Sequence, residues 1–392
     1  MSNQIKTEKK TETLCAAFLF VGKGIVAPYI IEDIALALKQ LQCDVTLVPL
    51  NIDQNELASL ISSSKPQFVV ALDGKGLDYA PIASSNILRV AWFVDNPFYF
   101  KELKTLQSQD VVFVWDREYI PDLKKAGLKN AFFLPLATNP QRFNDEPLSQ
   151  EDRETYSCEV SFVGTVGQPQ EYFRNNRKKT YPAEINNLVD KMIPLVLQSY
   201  DIKKYGYVLK GVRNVEDNLD GKVKSLIQFL VDTEVNAIKR YELIKSLSSF
   251  KTTIYGDIQT QETCDTAKIA KRPVVDYRSE LSKVFKASTI NLNSTRPQLK
   301  TTVNQRIFDV FSSGGFLLTD YRAYLDEIIP FSSDLISFSN PHDLKDKITY
   351  YLKHEDERSE LIIAAQKTVR HHHTYLHRIE ELMHVIKPML QN

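Results

Sequence analysis

The amino-acid sequence predicts an α/β protein built from two doubly wound, Rossmann-like domains. The chain has 392 residues, which is more than one domain of about 150 residues needs. Short apolar runs alternate with amphipathic stretches, a pattern typical of parallel strands covered by helices on both faces. The alternation starts again after residues 137–155, a polar stretch with two prolines that we interpret as a linker.

The first half of the chain contains six apolar runs of strand length with helix-like segments between them. We predict strands over 15–22, 45–50, 68–74, 87–95, 111–116 and 131–137, and helices over 28–42, 54–63, 97–107 and 117–126. Pro28 suits the first turn of the first helix, because the N–H that proline lacks has no partner there. These elements predict an N-terminal domain over 14–145, preceded by a polar tail over 1–13.

The second half repeats the strand pattern and adds a helical insertion. We predict strands over 158–165, 252–257, 272–277, 288–293 and 316–320, and helices over 278–287, 303–313, 321–329, 341–352, 355–370 and 374–388. From about 170 to 250 the sequence is helical, polar and rich in lysine, which predicts an insertion of three or four helices. We place the second domain over 156–372 and a terminal helix over 373–392.

The composition argues against several classes of protein. Lys and Arg together number 49, as do Asp and Glu, so the basic excess with which nucleic-acid-binding proteins replace counterions is missing. The polar start has no apolar signal-peptide core, and no apolar run is long enough to span a bilayer. The four cysteines form no CxxC pair, which argues against structural zinc and a disulfide framework. We therefore expect a cytoplasmic protein without a transmembrane segment or a nucleic-acid partner.

Three predicted strands of the first domain end in aspartate: Asp73, Asp95 and Asp116. Ligands of open α/β sheets bind at the carboxyl ends of the strands, so all three are candidates for the ligand cleft. Pro97 forces Asn96 out of helical geometry, so the chain turns as Asp95 and Asn96 emerge. The alternative is that each aspartate caps the helix that follows.

A glycine turn, Gly22-Lys23-Gly24, follows the first strand. It lacks the third glycine of the dinucleotide-binding GxGxxG pattern. The pair of glycines would let the backbone approach a ligand closely, and a plain turn is the alternative.

The segment 294–320 carries the strongest signal for ligand binding. It leads from a strand into a helix whose predicted cap is Thr301 or Thr302, and a helix N-terminus offers free N–H groups and a positive dipole end to phosphate. Asp309, further along the helix, could accept hydrogen bonds from sugar hydroxyls. Three cations surround the helix start, namely Arg296, Lys300 and Arg306. The alternative is a capped, solvated basic helix.

The run RHHHTYLHR over 370–378 has two histidines one helical turn apart, His373 and His377. No carboxylate or cysteine completes a set at metal-ligand spacing, and zinc usually needs three or four ligands. We therefore predict no metal site, and a packing or solvent-facing role for these histidines.

Several motifs together resemble one known family, the CgeB-like (spore-maturation-type) glycosyltransferases with a group-1-type C-terminal domain. The most specific is VNQRIFDVFSSGGFLLTD over 303–320. The supporting motifs are WFVDNP (92–97), LPLATNPQRF (134–143), SFVG (161–164) and HTYLHR (373–378). The resemblance covers nearly the whole chain in order.

This resemblance implies a GT-B fold, in which two Rossmann-like domains face each other across a cleft. The nucleotide sugar is expected on the second domain and the acceptor on the first, with the last helix packing back on the first domain. The helix over 303–313 would bind the diphosphate at its start and the ribose through Asp309. Thr301 stands where retaining relatives carry a glutamate, so the stereochemical course stays open.

The resulting nucleotide-sugar site also includes residues next to the strand ends and the helix start: Gly164, Tyr255, Gly256, Thr301, Thr302, Val303 and Asn304. GT-B enzymes of this kind usually need no metal, so we expect no cofactor besides the nucleoside-diphosphate sugar as co-substrate.

The sequence therefore predicts transfer of a sugar from a nucleoside-diphosphate sugar to an acceptor in the cleft between the domains. If the reaction inverts the anomeric carbon, Asp95 is the expected general base, since no histidine precedes His342. The family context suggests a protein or a cell-surface glycan as acceptor, in flagellin or envelope glycosylation. The alternatives are an epimerase of the same fold and a non-catalytic sugar- or partner-binding scaffold. The helical insertion suggests either acceptor recognition or a homodimer interface.

Overall fold

The structure is a computed structural model that describes residues 15–22, 24, 26–198, 205–258 and 268–390. The chain divides into two compact units. Unit 1 comprises the chain up to Trp115, then Tyr119–Leu134, and the chain from Tyr375 onward; unit 2 comprises Asp116–Glu118 and Pro135–Thr374. Residues 135–145, which the sequence analysis places in the first domain, thus group with unit 2. The predicted polar tail over 1–13 lies outside the described residues.

Unit 1 contains a parallel sheet of six described strands in the order β2-β1-β3-β4-β5-β6. The strands are β1 (Cys15–Val21), β2 (Cys43–Pro49), β3 (Phe68–Leu72), β4 (Leu88–Phe93), β5 (Val111–Val114) and β6 (Asn130–Phe133). The three central strands, β3 to β5, are buried along nearly their whole length. Near-continuous apolar runs fold this way because both faces of a parallel sheet are covered.

The helices of unit 1 are α1 (Ala27–Gln40), α2 (Gln54–Ser64), α3 (Ala80–Ala83), α4 (Ile120–Lys125) and α15 (Tyr375–Ile386). Pro28 lies in the first turn of α1, and the Asp53 side chain caps α2 by accepting from two backbone N–H groups. The predicted helix over 97–107 forms two short 3₁₀ helices instead. Helix α15 packs against α1, so the chain returns to unit 1 at its end.

A disulfide joins Cys15 to Cys43, in contrast to the unpaired cysteines that the sequence suggests. The two residues lie directly opposite each other at the starts of β1 and β2, with Cα atoms 4.7 Å apart. They are 28 residues apart in the chain, and only the pairing of the two strands brings them together.

Unit 2 contains a second parallel sheet of six described strands, in the order β12-β11-β10-β7-β8-β9. The strands are β7 (Cys158–Val163), β8 (Thr252–Tyr255), β9 (Ile269–Arg272), β10 (Ser288–Leu292), β11 (Leu317–Asp320) and β12 (Ser337–Phe338). The strand predicted over 272–277 lies earlier in the chain than expected. The observed strand, β9, ends at Arg272, which pairs with Tyr255. Pro273 follows and has no N–H to continue the ladder.

The other described helices belong to unit 2. They are α5 (Gln150–Tyr156), α6 (Gln170–Thr180), α7 (Ala183–Gln198), α8 (Tyr205–Glu216), α9 (Gly221–Ser246), α10 (Leu281–Ala287), α11 (Gln305–Ser312), α12 (Leu325–Ile328), α13 (Pro341–Tyr351) and α14 (Glu355–His372). Two flanked parallel sheets with an inserted helical segment confirm the predicted α/β architecture. Within the described part of the chain, no helix has the length and apolarity to cross a bilayer.

The helical insertion, α6 to α9, has a small apolar core of its own. Val189 and Ile193 of α7 pack with Ile227 and Val231 of α9. At the edge of this core, buried Arg177 forms ion pairs with other helices, including one of 2.6 Å to the Glu234 carboxylate. The insertion is therefore a packed subdomain and not a loop.

Candidate functional site

The first part of the candidate site is the loop over 293–304, which follows β10 at the carboxyl edge of the second sheet. The Asn293 side chain is fully buried. Its amide donates to the Thr319 hydroxyl (2.9 Å), and its carbonyl oxygen accepts from the Asn304 amide (2.9 Å). These contacts fix the end of the loop, and with it the start of α11, to the sheet.

Helix α11 begins at Gln305 with Asn304 as its N-cap residue, so the prediction that Thr301 or Thr302 caps the helix is wrong. The extended backbone of Asn304 separates the threonines from the helix. Val303 is buried in the core.

The threonine N–H groups instead bind a carboxylate of the chain itself. Asp116, fully buried, accepts from the Thr301 N–H (2.7 Å), the Thr301 hydroxyl (2.7 Å) and the Thr302 N–H (3.0 Å). It also accepts from the Glu118 N–H (3.0 Å), which matches the capping alternative. The loop does therefore form an anion site, and in this structure Asp116 occupies it.

The three predicted cations separate into two groups. Arg296 lies in the loop and Arg306 in the first turn of α11. Burial lowers the pKa of Arg306 to about 10; the positive charge of Arg296 acts in the same direction, and the charge of Asp309 opposes both. Lys300 forms an ion pair with Glu216 of α8, at 3.2 Å. The arginines are thus the cations beside α11, and Lys300 links the loop to the insertion.

Asp309 lies on the first turns of α11 with only 2% of its surface exposed. Its carboxylate accepts from the Thr138 hydroxyl (2.7 Å) and the Tyr277 hydroxyl (3.3 Å). Gln305 donates in turn to the Tyr277 oxygen. Asp309 is therefore a buried carboxylate that accepts from two hydroxyl donors of its own unit.

A buried charge cluster that the sequence analysis missed supports the same loop. The Asp320 carboxylate lies 3.0 Å from the Lys239 ammonium and 3.0 Å from the Arg322 guanidinium. It also accepts from the Thr295 N–H at 2.7 Å, and Arg322 donates to the Leu299 carbonyl at 2.6 Å. Burial holds the pKa of Lys239 well below its usual range. The sequence did contain a signal for this cluster: Asp320 ends a predicted strand, as Asp73, Asp95 and Asp116 do.

The ends of β7 and β8 approach each other closely through two glycines. Gly164 and Gly256 both have positive φ angles, 139° and 143°. A Cβ atom on Gly256 would lie 2.6 Å from the Gly164 carbonyl oxygen, so a larger residue would separate the strand ends. Tyr255 is buried beside them, and its burial raises its pKa to about 12.

In unit 1, a pair of carboxylates lies at the carboxyl edge of the first sheet. Asp73 is buried, with a left-handed backbone (φ 53°). Its carboxylate accepts from the Val94 N–H (3.1 Å) and lies 3.4 Å from the Lys75 ammonium. Burial, together with the charge of Asp95, raises the pKa of Asp73 to about 6, although Val94 and Lys75 act in the opposite direction. The half-buried Asp95 is thus close enough to interact with Asp73.

The other residues predicted for the acceptor site have structural contacts. Asn96 is buried and accepts from the Phe98 N–H at 3.0 Å, which caps the following 3₁₀ helix. A Cβ on Gly22 would lie 3.0 Å from Leu50, and Gly24 has a φ of 157°. Lys23 lies outside the described residues.

In the C-terminal histidine run, His373 packs against aromatic side chains. The His373 ring lies 5.6 Å from the Phe308 ring and 6.5 Å from the Tyr324 ring. Among the residues that the structure describes, no group of three or more His, Cys, Asp or Glu side chains could hold a metal ion.

Comparison with known proteins points to one class. Residues 239–384, which include α11 and the Lys239–Asp320 ion pair, match a family model described as glycosyl transferase-like. No curated protein sequence matches the chain.

Solved structures of similar fold cover almost the whole chain. A glycosyltransferase from Rickettsia africae is 12% identical with a TM-score of 0.58, over 95% of this chain and 98% of that one. Sucrose-phosphate synthase from Thermosynechococcus elongatus is 9% identical with a TM-score of 0.58, over 96% and 99%. The Anabaena protein HepE, solved in complex with UDP-glucose, is 10% identical with a TM-score of 0.57, over 95% and 100%. The segment over 239–384 is thus glycosyl transferase-like, and the fold of the chain is the GT-B fold of these structures.

Proposed function

We propose that the protein transfers a sugar from a nucleoside-diphosphate sugar to a hydroxyl group of an acceptor. The observation that carries this proposal is the arrangement at the start of α11, where two arginines, Arg296 and Arg306, accompany the N-terminal end of the helix. This arrangement lies within the segment that matches the glycosyl transferase-like family. The UDP-glucose bound to HepE supports a nucleotide sugar as the donor.

We assign the donor to unit 2. Arg296 and Arg306, with the N–H groups at the start of α11, offset the charge of the diphosphate, because a helix start and guanidinium groups both attract phosphate. Asp309 binds the ribose after displacement of Thr138 or Tyr277. The close glycine contact at Gly256 keeps the strand ends together beside the donor.

We assign proton removal to Asp95 of unit 1. The acceptor oxygen forms a bond to the anomeric carbon, the bond from that carbon to the diphosphate oxygen breaks, and the nucleoside diphosphate leaves with the electron pair. The acceptor proton passes to the Asp95 carboxylate and then to solvent. A direct displacement of this kind inverts the anomeric carbon.

From the sequence resemblance we further propose the kind of acceptor and the absence of a metal requirement. The acceptor is a protein or a cell-surface glycan, and the transfer needs no metal because helix and arginines supply positive charge at the diphosphate. An epimerase and a non-catalytic scaffold are the other outcomes that experiments can reveal.

The first test is a thermal-shift screen with UDP, GDP, CDP and dTDP and their common sugars. We expect one base family to raise the melting temperature by several degrees, since a ligand that binds only the folded state stabilises it. Arg296→Gln should weaken this shift, because it removes an exposed cation of the donor site. Lys345→Gln, which removes an exposed cation on α13, is the matched control and should leave the shift unchanged.

The outcomes separate the functions. A shift together with release of nucleoside diphosphate only when acceptor is added supports transfer. A new nucleotide sugar formed without acceptor would identify an epimerase. The absence of any shift, with equal behaviour of both variants, would contradict the donor site and favour the scaffold.

A further inference from the structure

The two carboxylates of unit 1 emerge from neighbouring strands. β3 pairs with β4 in parallel, with Leu72 opposite Trp92. Asp73 follows β3 directly, and Asp95 follows β4 after one residue, Val94. Both side chains therefore leave the sheet at the same edge.

The backbone of Asp73 holds its carboxylate between these strands. Its φ of 53° lies in the left-handed region, which costs free energy for a residue with a Cβ. The conformation is held because the Asp73 N–H donates to the Trp92 carbonyl (2.9 Å) while its carboxylate accepts from the Val94 N–H (3.1 Å). Strained residues that the surroundings hold in place are typical of functional sites.

Asp73 has no capping role that would explain its position. The next helix, α3, begins at Ala80 with Tyr79 as its N-cap residue. The carboxylate binds across to Val94, the residue that precedes Asp95. Asp73 is thus attached to the backbone that carries Asp95.

We propose that Asp73 is a positioning residue for proton transfer: it anchors the Val94–Asp95 backbone and keeps a negative charge beside Asp95. This charge makes the Asp95 carboxylate a stronger proton acceptor, because two nearby negative charges disfavour each other. The inference rests on the proposed function, since it takes Asp95 as the general base. It adds that Asp73 acts through Asp95 and does not touch the substrate.

The pH dependence of turnover that we expect from this role of Asp73 depends on the charged groups around its carboxylate. They are Asp95 on the adjacent strand end, Lys75 in its own turn, and Glu102, whose Cβ lies 3.3 Å from the position of a Cβ on Gly74. The Lys75 ammonium also lies 5.2 Å from the centre of the Phe100 ring. With a pKa of about 6, Asp73 is charged at neutral pH and loses its charge as the pH falls through that value. Turnover should fall over the same range.

The test compares the pH dependence of kcat for the protein and for Asp73→Asn. We expect kcat at neutral pH to fall about tenfold, the equivalent of one pKa unit, and the acidic limb near the pKa of Asp73 to disappear. The thermal shift with the donor nucleotide should stay unchanged. Asp78→Asn, an exposed aspartate of the same connection, should keep both kcat and the limb. Wild-type kcat and an unaltered limb in Asp73→Asn would overturn the proposal.

A second variant covers the case in which Asp73→Asn does not fold. Lys75→Met removes a half-exposed cation that lowers the pKa of Asp73, so the acidic limb should move to higher pH. An unmoved limb would overturn the proposal. These failures differ from failure of the proposed function, in which no nucleotide sugar binds or Asp95→Asn keeps normal turnover.

Discussion

Aspartates that follow strands have different partners in this protein, although the sequence presents them alike. Asp73 accepts from the N–H of Val94 on the neighbouring strand. Asp116 accepts from the N–H of Thr301 in the loop over 293–304. Asp320 neutralises two buried cations. The identity of the residue predicts that it will need hydrogen-bond donors or cations when buried, and the fold decides which ones it finds.

Asp95→Asn tests the general base. We expect kcat to fall by about a hundredfold or more, because an amide cannot accept the proton, while the affinity for donor stays the same. The measurements are acceptor-dependent release of nucleoside diphosphate and the donor thermal shift. Asp44→Asn, at an exposed position on β2, is the control that should change neither. Near-normal turnover in Asp95→Asn would remove this residue from the mechanism.

At the level of elements, the loop over 293–304 depends on contacts from distant parts of the chain. The carboxylates of Asp116 and Asp320 accept from its backbone, and Arg322 donates to it. None of these partners lies within the loop. A loop held in this way is ordered before ligand binds, which lowers the entropy that binding must overcome.

Asp116→Ala tests this support. The substitution leaves two half-buried donors of Thr301 and one buried donor of Thr302 without their acceptor, which we expect to cost the local structure about 3 kcal/mol. Amide hydrogen exchange at these two residues should then become roughly a hundredfold faster. The exposed Asp346→Ala on α13 is the control. Unchanged protection at Thr301 and Thr302 would show that other contacts hold the loop.

At the scale of the whole molecule, the net charge affects how the diphosphate of the proposed donor would be neutralised. The net charge is zero, so the proposed attraction for a diphosphate is assigned to local groups at α11. Each unit has its own sheet and its own core. The glycosyl transferase-like match covers residues 239–384, where this cationic site lies.

Removal of metal tests whether the local cations suffice. We expect turnover to stay unchanged after dialysis against a chelator and to show no gain from added Mg²⁺ or Mn²⁺, because Arg296, Arg306 and the helix start neutralise the leaving group. The assay is again acceptor-dependent release of nucleoside diphosphate. Loss of turnover with chelator and recovery with one cation would contradict the metal-free proposal.

Most strands and helices of both units could be read from the sequence, because strand length, apolar runs and helical periodicity are local properties. The short strand β12 and the helices α3 and α5 were not predicted. The errors lie at positions that depend on neighbours, such as the strand moved back to Ile269–Arg272 and the start of α11. The family motif around α11 was likewise visible, because it is one continuous segment.

Contacts between residues that are distant in the chain could not be predicted from the sequence. Asp116 meets Thr301 across 185 positions, and Lys239 meets Asp320 on a separate element. The disulfide of Cys15 depends on the pairing of two strands. Sequence patterns report which residues share a face of one element, whereas partners on different elements are set by packing of the whole unit. A buried charged group needs an opposite charge or hydrogen-bond donors close by. The amino-acid sequence does not determine which distant residue folding will place next to it.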